Sequence, residues 1–472
     1  MRRFAEWDTQ TDASTVARAE VARVRSLGTW AYLWLAPGLC FVRQRSNFIQ
    51  GWRAAAAARG ALGGGESAGA VGRADVPPLG SWMMLPDLTT PRTQTVLPSH
   101  DALYGASQVE LDLLGPVVIS VPANPDGRYY SVSIMDAMLT NVARVGPRWT
   151  GNDASDHLVV PPGWNGAVPD AVPVIESPTP SICLYTRVLV DGTEADLSYA
   201  RRWMSQVRLT QLAKWGETDA TPEDVDTRPF EHGDLSGLTD PWEYFRIGFD
   251  HCARNTPPAQ AEWLHALLAA PELLQAPADE ALRQAVHDGV DDAQDLVDAT
   301  LTTWPRRDGW MVPRPYLGLP GPHLLEAAAF QLFQIGSNEI AESAYFFDDT
   351  DSDGAVLDGA GGTVYELAFT PEQLPRLEQG GYWSLTMYDA ETNLLVPNPI
   401  NRYSIRPGQA GFDLRPDGSA SIMLAVTLPP GVTTTSWLPA PAGPFRLGLR
   451  AYYPGEDIRA ARWAPPAVRR VR

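Results

Sequence analysis

Hydrophobic and polar positions divide this chain by period. Over 12–26, Ala17, Val21 and Val24 recur at helical spacing with Arg18, Arg23 and Arg25 off that face, which predicts an amphipathic helix. The apolar run LGTWAYLWLAPGLCFV over 27–42 follows, interrupted by Pro37-Gly38, and reads as a buried helix, with a membrane-associated segment as the alternative. From Trp82 the period shortens: PVVISVP, RYYSVSIMD, HLVVPP and ICLYTRVLVDG are short apolar runs bounded by Pro, Gly, Asn and Asp, as in an antiparallel sandwich or barrel. Near residue 196 helical spacing returns, with Thr193 and Asp196 placed as an N-cap and its third residue, and Leu197, Ala200, Met204 and Val207 on one face. Thr256-Pro257 opens a helix AQAEWLHALLAA, and 279–288, 292–303 and 323–334 are further helical patterns. From Tyr345 the strand texture resumes with GTVYELAF, YWSLTMYD, SIMLAVTL and FRLGLRAYY.

Two stretches align without gaps. GRYYSVSIMDAMLTN (127–141) matches GGYWSLTMYDAETNL (380–394), with Gly127 on Gly380, Tyr130 on Trp383, Ser131 on Ser384 and Asp136 on Asp389. Downstream, ICLYTRVLVDG (182–192) matches FRLGLRAYYPG (445–455). Two matched blocks in one order imply an internal duplication or convergence on one topology. The expected fold is mainly β with a helical module: a helical segment and flexible Gly/Ala-rich stretch over 1–75, an immunoglobulin-like sandwich domain over 76–195, a mostly helical module over 196–336, and a jelly-roll-like β domain over 337–472.

The 472 residues suffice for two or three domains, and 42 Pro with 40 Gly favour many short strands over long helices. A net charge of −19 repels phosphate backbones and anionic membranes, so nucleic acid is not an expected partner. Arg469, Arg470 and Arg472 form a locally basic tail of the kind that is usually solvated. Cys40, Cys183 and Cys252 are scattered and odd in number, which fits a reducing compartment. Met1-Arg2-Arg3 leads into polar residues rather than an apolar segment, so the expectation is a cytoplasmic, soluble protein without a transmembrane helix.

The resemblance of the whole rests on DALY at Asp101, GRYY and MD over 127–136, VVPPGW over 159–164, FDDTDSDG, YWSLTMYD, VPNPINRYSI, and WLPAPAGPF with LRAYYP. These resemble a bacterial family pair, the domains of unknown function numbered 1254 (amino-terminal) and 1214 (carboxy-terminal). The chain has Ser99-His100-Asp101-Ala102-Leu103-Tyr104 where the family has an Asn-Asp-Thr-Leu-Tyr-like run, and Trp34-Leu35-Ala36-Pro37 where it has a Tyr-Gly-Tyr-Pro-like opening. The resemblance implies a sandwich, a helical module and a jelly-roll-like domain, and no established activity.

Candidate chemistry is sparse. Gly65-Glu66-Ser67-Ala68-Gly69 matches GxSxG but lacks the strand-turn-helix setting of a nucleophile elbow. Asp349, Asp351 and Asp353 open a calcium-like loop, yet the closing Glu position holds Ala360, and a polar hairpin turn is the competing reading. The seven His residues include no HxH or HExxH pair. The remaining candidates are two polar and aromatic sets: Asp101, Tyr104, Arg128, Tyr130 and Asp136, then Tyr388, Asp389, Asn398, Asn401, Arg402 and Tyr403. Arg beside carboxylate, amide and phenol groups grips a polar ligand, whereas Asp and Asn at strand ends also simply make turns. Arg402, after the stiff turn VPNPIN, is expected to pair with a carboxylate, Asp389 first. The resulting expectation is a small-molecule or glycan binding or processing protein, needing no cofactor, with its site where the β and helical modules meet. The alternative is a non-catalytic assembly or envelope-associated scaffold, and oligomeric state stays open.

Overall fold

The computed structural model describes residues 12–61, 76–93, 95–233, 235–255, 268–409 and 411–471. The GxSxG motif, most of the Gly/Ala-rich stretch, His265 and the helix expected after Thr256-Pro257 lie outside the described residues, save that helix's last turn. The longer helices are α1 (Ala13–Ala61), α2 (Glu194–Met204), α3 (Pro241–Arg254), α4 (Glu280–Thr302) and α5 (Leu324–Phe333). The chain is mixed α and β, with four sheets among the described residues, none of them closed.

It divides into two compact units. The first comprises 1–44, 232–303 and 322–333, and the second 45–231, 304–321 and 334–472. The span expected as one helical module, 196–336, is therefore shared between them.

In the first unit the helices pack through small residues. Leu33 and Ala36 of α1, Ala293 and Val297 of α4, and Ala328 and Ala329 of α5 form one buried cluster. Gly289 is required by the α1–α4 crossing, since a Cβ there would lie 2.4 Å from the Arg25 carbonyl oxygen. Two expectations are corrected here. Pro37 does not interrupt the helix, because α1 runs through it for 49 residues. Proline removes its own N–H bond and crowds the carbonyl four residues back, and burial of Leu33, Leu35, Ala36 and Leu39 around it holds the backbone helical. Likewise 279–288 and 292–303 are not separate helices: Asp279 caps one continuous α4 by accepting from the Ala281 N–H at 2.8 Å. Among the described residues no helix is long and apolar enough to cross a membrane.

The second unit holds all the strands. They are β1 (Met83–Met84), β2 (Ala102–Glu110), β3 (Val117–Val121), β4 (Tyr130–Asp136), β5 (Asn141–Val145), β6 (Ser155–Val160), β7 (Val174–Glu176), β8 (Ser181–Leu189) and β9 (Arg208–Gln211). After them come β10 (Arg306–Arg307), β11 (Trp310–Met311), β12 (Ser343–Asp348), β13 (Val364–Phe369), β14 (Trp383–Asp389), β15 (Ser404–Ile405), β16 (Ala420–Ala425), β17 (Trp437–Pro439), β18 (Phe445–Tyr452) and β19 (Arg469–Arg470).

The first half forms sheets ordered β1-β2-β8-β4-β5 and β7-β6-β3-β9, and the second half β10-β11-β12-β18-β14-β15 and β17-β16-β13-β19. Apart from the edge strand β10, each strand of the second half occupies the place of the one ten numbers earlier. Register agrees as well. Ser131 pairs with Arg187 and Tyr104 with Arg187 in the first half, as Ser384 pairs with Arg450 and Tyr345 with Arg450 in the second. Alternation along these strands sorts their side chains onto two faces. Val132, Ile134, Leu184 and Val188 meet Val117, Ile119 and Val159 in one apolar core, and Leu385, Met387, Leu447 and Leu449 meet Leu367, Ile422 and Leu424 in the other.

Candidate functional site

The sequence-derived candidates scatter. Asp136 and Asp389 both serve turns. Asp136 Oδ1 accepts from the backbone N–H groups of Met138 and Thr140 at 2.9 Å, and Asp389 Oδ1 accepts from the Thr392 N–H and hydroxyl at 2.8 Å. Asn398 closes its loop through the Arg402 carbonyl at 2.8 Å and the Arg402 N–H at 3.0 Å. Asn401 takes a φ of 50° and accepts from the Tyr403 hydroxyl.

Arg402 corrects an expectation. It donates to the carbonyls of Thr434 and Trp437, and no carboxylate pairs with it among the described residues. Asp389 is already spent on its own turn, so the two never meet as an ion pair. Arg128 binds Asp126 and Asp196, each at 2.7 Å, and lies over the Tyr199 ring. Tyr130 points into the first apolar core against Trp203. Of the calcium-like loop, Asp351 accepts from the N–H groups of Asp353 and Ala355, and Asp349 pairs with Arg446 and Arg306, which is the polar-turn arrangement. No group of three or more metal-ligating side chains assembles among the described residues.

Three candidates do converge, Asp101, Tyr104 and Tyr388, and they lie in a layer that the other candidates do not share. The strand faces turned away from the two apolar cores meet as a buried polar and aromatic layer within the second unit. Ser404 donates to the wholly buried Asp101 at 2.8 Å. Tyr388 donates to the Pro98 carbonyl at 2.6 Å and accepts from Arg450 at 2.7 Å. Burial pushes the Tyr388 phenol up to about 12 against the pull of Arg450, so it stays a neutral donor. Arg450 also donates to the Leu97 carbonyl at 2.6 Å. Tyr382 and Tyr452 stack with their rings 4.3 Å apart, and Tyr129 meets both at a steep angle. Tyr129 donates to Glu342 at 2.5 Å, as Trp149 does at 2.7 Å.

Arg187, on β8, lies over the Tyr104 and Tyr185 rings and is 8 % exposed. Neither it nor Arg450 has a carboxylate within ion-pair range among the described residues. Moving a guanidinium out of water is costly unless its charge is met, so an arrangement of this kind is unusual for packing alone. Several buried polar atoms of the layer also lack a hydrogen-bond partner: Ser343 Oγ, Ser384 Oγ and Asn338 Nδ2. A signal for these residues was present in the sequence. Arg187 is the one cation of its apolar strand, and it falls on Arg450, one of two in its own, when ICLYTRVLVDG is laid on FRLGLRAYYPG.

The first unit has its own cavity of about 400 Å³, lined by the stacked Tyr32 and Tyr244 with Arg43, His287, Asp291 and Gln294. Burial pushes the Cys40 thiol at its edge up to about 11, so it is no nucleophile.

Residues 80–211 match the family model described as protein of unknown function DUF1254, and residues 342–456 match that of DUF1214. The chain carries a DUF1254 domain followed by a DUF1214 domain. Each domain contributes one wall of the layer: Tyr104 and Arg187 come from DUF1254, Tyr388 and Arg450 from DUF1214. No curated protein matches the chain. Among solved structures, the VPA0106 protein of Vibrio parahaemolyticus is similar over 95% of this chain and 100% of its own, at 18% identity and a TM-score of 0.66, a likeness of fold. A putative uncharacterized protein from Burkholderia cenocepacia aligns over 97% and 96% of the two chains at 10% identity, with a TM-score of 0.43.

Proposed function

We propose that this chain is a small-molecule-binding protein whose ligand is held in the arginine and tyrosine layer between its two strand-built halves. The observation that carries this reading is the set of buried polar atoms without hydrogen-bond partners, on Ser343, Ser384 and Asn338, beside the Arg187 and Arg450 guanidiniums that no carboxylate meets among the described residues. Tyrosine rings suit the faces of an organic or sugar ring, and the hydroxyl and guanidinium groups suit its polar edges. Each half is best read as a sandwich of two open sheets, the second jelly-roll-like, and the shared strand order and register support a duplicated origin.

A thermal-shift screen of the full chain against neutral, sugar-like and charged small molecules tests the function. A saturable stabilisation that Tyr104→Ala weakens supports a site in the layer, and one weakened by Tyr32→Ala instead moves it to the cavity of the helical unit. The scaffold reading has its own support, since the same side chains fasten the two halves together. It gains if no compound stabilises the protein and the chain self-associates in sedimentation experiments.

A further inference from the structure

We propose that the layer binds a small oxyanion, an organic carboxylate or inorganic phosphate, between Arg187, Arg144 and the Asn338 amide. This rests on the reading of the layer as a ligand site and adds the charge of what it takes.

Two like charges share the same acceptors. Arg144 and Arg187 both donate to Ser133 Oγ and Asn338 Oδ1, at 3.4 Å from Arg144 and 3.3 Å from Arg187. Both acceptors are neutral, all four bonds are long, and all four residues are buried. The second nitrogen of Arg187 reaches only the Gly336 carbonyl, at 3.5 Å. Arg144 has acidic neighbours, Glu339 at 3.5 Å and Glu342 at 3.9 Å, but both Glu342 oxygens already accept from Tyr129 and Trp149. Arg187 has no such neighbour, so its charge is the one left to be met.

The orientation of Asn338 sharpens the case. Its Oδ1 must face the guanidiniums, because the reverse would set an NH₂ group against two cations. Its Nδ2 is then a donor without a partner, 3 % exposed, on the same side chain that the two arginines converge on. The Tyr345 hydroxyl, which accepts from the Asn338 N–H at 3.3 Å, has its own proton left to donate. The free Asn338 Nδ2 and the Tyr345 proton are both donors. Donors beside the unmet charge of Arg187 select an oxyanion, and guanidinium geometry suits one bidentately.

The test is binding of acetate, succinate and phosphate to the full chain, by calorimetry and thermal shift at fixed ionic strength, with acetamide as the neutral match. At least one anion is expected to bind saturably and acetamide is not; which anion binds separates an organic acid from phosphate. Arg187→Gln should weaken binding by about tenfold or more. Asn338→Asp guards against a misfolded variant, since it is nearly isosteric and supplies a resident carboxylate to both arginines. It should raise the unfolding temperature and abolish the anion response. Absence of binding by all three anions overturns the proposal, and so does a response that persists undiminished in Asn338→Asp. A neutral compound that binds the layer while no anion does leaves the small-molecule reading standing without this one.

Discussion

Asp348 shows what burial does to a single side chain. Burial raises its carboxyl from the ordinary 3.8 to about 6, against the Thr350 hydrogen bonds and Arg306, which favour the charged form. The folded chain therefore keeps this proton up to about pH 6, whereas the unfolded chain releases it near 3.8. Stability from this group is fully present below the unfolded value and is lost as pH rises through the folded one, by about 3 kcal/mol in all. Asp348→Asn keeps the side-chain oxygen that accepts from Thr350 and removes the titration. Its stability relative to the wild type should rise between about pH 4 and pH 6 and level off above, as read by urea unfolding across that range. A difference flat with pH would mean that Asp348 ionises in the folded chain as it does in water. Single residues also mark the limit of local reading. Asp136 and Asp389 were legible as turn formers because their partners lie two to four residues on. Arg402 was not, because its acceptors at Thr434 and Trp437 are brought to it by the sheet and not by its own loop.

Elements were legible where their signals are short-range. The Thr193 cap appears as read, accepting from the Asp196 N–H at 3.3 Å, and α5 falls within the expected 323–334. The strands of both halves follow the alternating runs, since period two writes itself into adjacent residues. Pro37 was misleading, since the sequence shows the missing N–H but not the packing that outweighs it. That packing makes a measurable statement. Pro37→Ala restores one helical hydrogen bond and should raise stability by up to about 3 kcal/mol, provided that its buried neighbours keep their places. Gly289→Ala should do the opposite, because its new Cβ would press on the backbone of α1 at Arg25, and overpacking of this kind costs about 1–3 kcal/mol. Far-UV circular dichroism during thermal unfolding reads both. Equal stabilisation by the two alanines would show that helix propensity, and not the close crossing, governs this unit.

At the scale of the strand-built unit, what joins the halves is polar and aromatic, not a shared aliphatic core. Each half closes its own hydrophobic core, and those clusters share no residue. Across the layer, Glu342 accepts from Tyr129 and Trp149, Ser404 donates to Asp101, Arg406 donates to the Val190 carbonyl at 2.6 Å, and Asn141 donates to the Gly318 and Ser337 carbonyls. Sequence reading missed this layer because its partners are separated by up to 353 residues, as for Arg450 and Leu97, and no periodicity spans such a distance. A buried polar interface is demanding: satisfied, it fixes one arrangement, and broken, it leaves desolvated groups without partners. The two halves should therefore unfold in one step despite their separate cores, with tryptophan fluorescence and far-UV circular dichroism giving coincident urea transitions for the strand-built unit. Glu342→Ala should cost about 3–5 kcal/mol, because it strands the Tyr129 and Trp149 donors and removes a carboxylate from the side of buried Arg144. A conservative control separates charge from shape. Glu342→Gln keeps one acceptor oxygen and should cost less, and Tyr129→Phe less again, since it removes one donor together with its need. If Glu342→Ala instead splits the unfolding into two transitions without lowering the more stable one, the halves are independently stable and the layer is a docking surface between finished domains. If it lowers a single transition, the polar layer is part of the folding unit itself.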